Sequence, residues 1–102
     1  MILLVFVLNF GYLYSLPGYN VFARTWELKY NDTIADVIFY DDGTVMDSNG
    51  EILKYDWDYT YLYIYTEDGE NFKFKITFSD YDTKFVGTEI NFNFTITGRT
   101  VN

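Results

Sequence analysis

The sequence predicts an all-β protein: a small up-and-down antiparallel β-barrel of about eight strands that follows an apolar N-terminal segment. From residue 24 onward, large side chains alternate with polar ones at a period of two, which is typical of strands with one buried face. Short turns separate these runs, and no segment shows helical spacing over a comparable length. Consecutive strands are therefore expected to pair as hairpins, and closure of the sheet would remove its exposed edges.

The alternation defines the strands in chain order. They are residues 24–30, 33–40, 44–46, 51–58, 61–65, 71–78, 84–90 and 91–97. Turn residues separate them, among them Asp41-Asp42-Gly43, Asn49-Gly50 and the Gly-containing stretch from Glu67 to Glu70. The Asn-Gly pair favours a type I′ turn, in which both central residues need positive φ.

Composition limits the size and chemistry of the protein. A chain of 102 residues allows one domain. With 15 acidic and 7 basic residues the net charge is −8, which excludes a protein that binds nucleic acid through its phosphates. The chain has no Cys and no His, so thiolate ligands, imidazole bases and Ser-His or Cys-His nucleophile pairs are absent. We predict a protein that is not an enzyme and uses no cofactor.

The first residues differ in character from the rest. Residues 1–16 carry no charge and are followed by Pro17-Gly18. Residues 1–23 are predicted to be either a signal peptide, with small residues at the positions that allow cleavage after Ala23, or a retained hydrophobic arm. The run is too short and too interrupted for a membrane span. Residues 24–102 are predicted to form the barrel domain.

One parity of the strands is predicted to fill the barrel. These inward positions are Trp26, Leu28, Val37, Phe39, Val45, Leu53, Tyr55, Trp57, Leu62, Ile64, Phe72, Phe74, Ile76, Phe78, Ile90, Phe92, Phe94 and Ile96. An eight-stranded barrel is only just wide enough for its side chains. We therefore expect a packed interior with at most a shallow mouth.

Three features place the chain near a known family. Trp26 opens the first strand, Phe39 to Val45 follow the pattern F-x-x-D-G-T-V, and Tyr55 and Trp57 form a Tyr-x-Trp strand. Residues 24–98 thus resemble the small lipocalin-like (calycin-type) domains of bacterial cell-envelope proteins. The resemblance implies a barrel of that kind and a place at the cell envelope. The chain departs from the pattern at Arg24, where a Gly is usual, and lacks the lipid-carrying Cys of many members.

The candidate binding residues are Tyr61, Tyr63 and Tyr65. Leu62 and Ile64 occupy the inward positions between them, so the three tyrosines are predicted to face outward. Such a row can bind a protein or a glycan, because Tyr offers a large, rigid and amphipathic contact area. The alternative is that the rings pair across strands and only stiffen the sheet.

Two acidic patterns are candidate sites. The stretch from Asp41 to Glu51 lacks the first carboxylate and the final Glu of a calcium loop when Asn49-Gly50 is aligned with its turn. The pairs Asp56 with Asp58 and Asp80 with Asp82 have no surroundings that would separate two pKa values. Neither pattern predicts a metal site or a catalytic dyad.

The sequence therefore favours a non-enzymatic protein, secreted or held at the cell envelope, that recognises a protein or glycan partner with its outer surface. The alternative is a structural or accessory subunit of a virion or extracellular filament, with the N-terminal arm buried between subunits of a homo-oligomer or larger assembly. A third hypothesis is an acidic inhibitor that imitates nucleic-acid charge, which requires its carboxylates to lie on one face.

Overall fold

The structure is a computed structural model and describes residues 20–101. Most of the predicted signal peptide or arm lies outside the described residues. The described chain forms eight strands. Their bounds are Thr25–Tyr30 (β1), Thr33–Phe39 (β2), Thr44–Met46 (β3), Ile52–Trp57 (β4), Tyr61–Tyr65 (β5), Asn71–Ser79 (β6), Lys84–Glu89 (β7) and Thr95–Thr100 (β8).

The eight strands close into a barrel. Each strand pairs antiparallel with the next, and β8 pairs antiparallel with β1, with Leu28 opposite Gly98. On the outside of this seam Arg99 Nε donates a hydrogen bond of 2.8 Å to Glu27 Oε1. Closure satisfies the backbone groups that an open sheet would leave on its edge strands. The predicted all-β, up-and-down antiparallel barrel is confirmed.

The barrel has two different ends. Residues 20–24 lie at the end where β1 begins, which we call the closed end. Because the strands alternate in direction, the turns after β1, β3, β5 and β7 lie at the opposite end, which we call the open end.

Phe22 plugs the closed end. Its side chain is fully buried, and ring centroids of Trp26, Trp57 and Phe85 lie 5.6, 4.9 and 5.3 Å from its own. Its carbonyl oxygen accepts a hydrogen bond of 3.2 Å from the Trp26 indole N–H. Val21 and Phe22 are thus part of the barrel core, although the sequence pattern places them with the apolar N-terminal segment.

Asn20 fixes the plug to the barrel wall. Its side-chain oxygen accepts the N–H of Phe22 at 3.0 Å, and its amide nitrogen donates to the Tyr55 hydroxyl at 2.7 Å. That hydroxyl in turn donates to the carbonyl of Tyr40 at 2.7 Å. Burial raises the pKa of Tyr55, so the phenol keeps its proton and remains a donor.

Three turns share one geometry that uses glycine. Gly43, Gly50 and Gly69 have φ values of 87°, 82° and 84°, and each N–H donates to the carbonyl three residues earlier. This is a type I turn followed by a left-handed residue. The type I′ prediction for Asn49-Gly50 is wrong, because only Gly50 of the two has positive φ.

Two residues that were predicted to face the interior lie instead in the loop between β7 and β8. β7 ends at Glu89 and β8 begins at Thr95, and the side chains of Ile90 and Phe92 are 47% and 56% exposed. The alternation of apolar residues continues through this stretch, but the backbone turns with Asn93 at φ 61°. Phe94 then returns toward the interior and packs against the core.

Candidate functional site

The predicted tyrosines lie in a row on the outer face of β5. Their side chains are half-buried, between the outward residues of β4 and β6. Tyr63 stands opposite Asp56 on one side and Lys73 on the other. We call Tyr61, Tyr63 and Tyr65 the tyrosine row.

One carboxylate of β4 and one of the turn that follows it accept hydrogen bonds from two hydroxyls of the tyrosine row. Tyr63 Oη donates to Asp58 Oδ2 at 3.0 Å, and Tyr65 Oη donates to Asp56 Oδ2 at 3.1 Å. The hydrogen bond to Asp58 raises the pKa of Tyr63, while burial and then the bond to Asp56 raise that of Tyr65. Asp56 and Asp58, one of the two acidic pairs, therefore orient tyrosines.

Asp58 is itself fixed by the backbone. Its Oδ1 accepts N–H bonds from Tyr61 at 2.6 Å and Thr60 at 2.9 Å. These bonds, that of Tyr61 first, hold the pKa of Asp58 below its usual value against the opposing effect of burial. The carboxylate thus stays charged and keeps accepting the Tyr63 hydroxyl.

Lys73 covers part of the row. Its ammonium lies 4.2 Å from the ring centroid of Tyr61 and 5.5 Å from that of Tyr63, within cation–π range. The rings of Tyr61 and Tyr63 are tilted by 52° with centroids 6.4 Å apart. The tyrosine row is therefore a preorganised surface of rings, hydroxyls and charges. Lys73 and the contact between the two rings already cover part of Tyr61 and Tyr63.

A second candidate site is an apolar pocket at the open end. A cavity of about 230 Å³ enters the barrel there. Its floor is made by buried side chains, namely Val37, Phe39, Val45, Leu62 and Phe74. Its walls are half-buried side chains, namely Leu28, Leu53, Ile64, Phe72, Phe94 and Ile96.

The pocket is deeper than the shallow mouth expected from the sequence. The bulky rings of Trp26, Phe22 and Phe85 all pack toward the closed end, so the walls at the open end consist of smaller aliphatic side chains and two phenylalanines, Phe72 and Phe94. Aromatic contacts continue around the mouth, where Tyr30 and Phe92 are 46% and 56% exposed and contact Phe94 and Phe72.

Glu89 fixes the backbone on one side of the pocket mouth. Its side chain is fully buried on the inward parity of β7. Oε1 accepts the N–H groups of Asn91 and Phe92 at 2.6 Å each, and Oε2 accepts that of Lys73 at 2.7 Å. Burial raises the pKa of Glu89, but the three N–H donors outweigh it and leave the pKa below its usual value.

Sequence reasoning did not identify Phe22, Phe85 or Glu89. Phe22 lies in the stretch assigned to a signal peptide or arm, where its neighbours are equally apolar. Phe85, Gly87 and Glu89 form the inward parity of β7, but two of the three are not large apolar residues. The sequence gives one sign of Glu89, namely an acidic residue at an inward position of a predicted strand.

Acidic side chains are concentrated in the turns at both ends of the barrel. Eleven of the 15 acidic residues lie outside the strands, whereas six of the seven basic residues lie within them. This distribution does not gather the carboxylates on one face, as an imitation of nucleic acid would require.

No family model, curated protein or solved structure matches this chain. Among residues 20–101, no group of three or more acidic side chains is arranged to hold a metal ion. The described part of the chain also has no helix long and apolar enough to cross a membrane. The class that the structure defines is a closed, eight-stranded antiparallel β-barrel.

Proposed function

We propose that this chain is a non-enzymatic binding protein with a lipocalin-like barrel, secreted or held at the cell envelope, whose tyrosine row recognises a protein or glycan partner. The observation that carries the proposal is the fixing of Tyr63 and Tyr65 by Asp58 and Asp56 on the outer wall. Hydroxyls held in place lose little conformational entropy when a partner binds. The carboxylates and Lys73 add acceptors and donors around the rings.

The experiment compares two variants on a glycan array and against extracts of the producing cell's envelope. Tyr61→Ser with Tyr63→Ser removes two rings from the row. Tyr81→Ser is the matched control, because Tyr81 is 93% exposed and lies in the turn between β6 and β7. We expect the double variant to lose binding at unchanged fold, and Tyr81→Ser to keep it. Equal binding by both variants would contradict this proposal.

A second candidate function is favoured by the pocket. We propose that the open end binds a small apolar group, because about 230 Å³ of apolar space opens to solvent there. A cavity of about 150 Å³ lined by aliphatic and aromatic residues is already large enough for benzene. Burial of each methylene contributes about 0.8 kcal/mol, so a short alkyl chain is expected to bind weakly but measurably.

Titration of the labelled protein with n-hexanol tests this function. Methyl resonances of Leu53, Ile64 and Ile96 should shift in the NMR spectrum, while methyl groups outside the pocket stay in place. Ile64→Phe places extra atoms in the pocket and should abolish the shifts at Leu53 and Ile96. Uniformly small shifts over the whole surface would mean that the pocket does not bind the alcohol.

The subunit hypothesis depends on residues outside the described part of the chain. As an alternative, we propose a virion or extracellular filament subunit in which residues 1–19 are kept and buried between copies. The mass of the native protein tests it. A mature N-terminus beyond residue 19 would contradict the subunit hypothesis, and a retained Met1 would contradict export by cleavage.

A further inference from the structure

One stretch of β2 pairs with a neighbouring strand on one side only. Thr33–Val37 pairs with β1, whereas the pairing of β2 with β3 begins at Ile38, opposite Met46. β3 ends at Met46, and the chain turns there into residues 47–51. Within the described residues, no other strand pairs with this side of β2. We call Thr33–Val37 the free edge.

The register decides which backbone groups of the free edge have no partner strand. The Phe39 N–H donates to the carbonyl of Arg24 at 3.0 Å, and strand residues alternate in direction, so Val37 also faces β1. Ile34 and Asp36 have the opposite parity, so their N–H and C=O groups face away from β1. Both residues are exposed. Unpaired groups of this kind form a template for another extended chain.

A strand added to the free edge would place alternate side chains beside the apolar pocket. In an antiparallel pair, residues that stand opposite each other point to the same face of the sheet, so a residue opposite Ala35 points inward. Ala35 is small and half-buried, and it stands opposite Leu28. Leu28 and Val37 both line the pocket. Apolar side chains are therefore favoured at the inward positions of the added strand.

The outward positions of the added strand would lie among acidic residues. An outward side chain would stand next to Asp36, and the turn after β3 carries Asp47 and Glu51. Residues 31–37 and 47–51 contain no Lys or Arg. These positions favour basic side chains, whereas a second copy of β2 would bring another Asp36 and a chain whose net charge is −8.

We propose that the free edge binds an extended peptide segment of a partner protein as an antiparallel strand, in the place that a longer β3 would take. Apolar residues of the segment face the pocket, and basic residues face solvent. In this mode of recognition main-chain hydrogen bonds supply affinity and alternate side chains supply specificity. The inference goes beyond the tyrosine row, which lies on β5, and shares only the apolar pocket with the second candidate function.

Three pentapeptides with blocked ends test the strand addition: acetyl-VKVKV-amide, the same peptide N-methylated at both lysines, and the same peptide N-methylated at the middle valine. In the proposed register the lysine N–H groups face β2, and that of the middle valine faces away. Each is titrated into the full chain, with the amide resonances of Ile34 and Asp36 as the readout. We expect methylation at the lysines to weaken binding at least about tenfold, and methylation at the valine to weaken it less than about threefold.

Ile34→Pro is the matching change in the protein. Proline removes the N–H that faces away from β1 and keeps the bonds to β1, so this edge should tolerate it. Ile34→Ala is the control, because it shortens the same exposed side chain and keeps the N–H. We expect Ile34→Pro to weaken binding of acetyl-VKVKV-amide at least about fivefold, and Ile34→Ala less than about threefold. If the proline variant does not fold, the N-methylated peptides on the unaltered protein decide the question.

Charge is tested with acetyl-VEVEV-amide. At low ionic strength it should bind at least about fivefold more weakly than acetyl-VKVKV-amide, because its carboxylates would lie beside Asp36. Equal binding of the two peptides would overturn the assignment of a basic partner.

Deuterium exchange shows whether the free edge is open before the peptide is added. In the full chain, the amides of Ile34 and Asp36 should exchange faster than that of Val37, which faces β1. Slow exchange of both in dilute protein would mean that part of this chain covers the edge. Slow exchange only in concentrated protein would mean that a second copy does. Either result would overturn the proposal.

The remaining outcomes separate this proposal from the second candidate function. Equal binding by the two N-methylated peptides would overturn strand addition. Shifts with n-hexanol but with none of the peptides would overturn strand addition and leave the apolar pocket standing. Binding of acetyl-VKVKV-amide in the expected order, without any response to n-hexanol, would support strand addition and contradict the second candidate function.

Discussion

Phe85 occupies the space that a side chain on Gly98 would need. The two residues stand directly opposite each other on β7 and β8, both on the inward parity. A Cβ on Gly98 would come closer to three atoms of the Phe85 ring than real Cβ contacts allow. The buried ring of Phe85 therefore depends on the absence of a side chain at the facing position of β8.

The first prediction concerns this pair. Gly98→Ala should lower the free energy of unfolding by about 1–3 kcal/mol, because the added methyl forces Phe85 out of its position. Urea denaturation followed by far-ultraviolet circular dichroism measures the change. Thr97→Ala, on the outer face of the same strand, is the control. Phe85→Leu in the Gly98→Ala background should recover part of the loss, and a larger combined loss would contradict the steric explanation.

The second prediction concerns the plug. Phe22→Ala should cost about 3–5 kcal/mol, because it empties a fully buried position between five other aromatic rings. A chain that starts at Arg24 should be destabilised at least as much relative to a chain that starts at Asn20. Thermal unfolding of the three proteins decides. Equal stability of the chains that start at Arg24 and Asn20 would show that Phe22 is dispensable.

The third prediction concerns Glu89 and pH. The folded-state pKa of Glu89 is lowered, so its contribution is present above the unfolded-state pKa and is lost as the pH falls through the folded-state pKa. Glu89→Gln should cost about 1–3 kcal/mol at neutral pH, because the side chain can no longer accept from all three N–H groups. The difference from the unaltered protein should shrink in acid.

Urea denaturation at neutral and acidic pH measures this effect. Glu67→Gln is the control, since Glu67 is exposed in a turn at the same end of the barrel. A gap between Glu89→Gln and the unaltered protein that stays constant as the pH falls would contradict the proposed ionic anchor.

The fourth prediction concerns the tyrosine row. Tyr63→Ala should change the free energy of unfolding by less than about 1 kcal/mol, because Tyr63 lies on the outer face and its bond to Asp58 is exposed. Tyr63→Phe should remove one phenol that ionises above the usual pH, since the Asp58 bond raises its pKa. Spectrophotometric titration of the phenolates detects this. A large loss of stability in Tyr63→Ala would assign the row to the fold.

The alternation of large and polar side chains predicts much of the architecture. Trp26, Phe39 and Tyr55 lie at inward positions of short strands and are buried, as the alternation predicts. The outward placement of Tyr61, Tyr63 and Tyr65 follows from the same rule. Periodicity failed at Ile90 and Phe92, because the carboxylate of Glu89 binds the N–H groups of the loop and the backbone turns there.

The sequence by itself determined that this chain folds as an antiparallel β-barrel, because a period of two and glycine-containing turns depend only on neighbouring residues. Only the tertiary structure decided that Phe22 closes one end and that an apolar pocket opens the other. Both depend on how side chains from five or more strands share the interior, and that division of space follows from closure between β1 and β8.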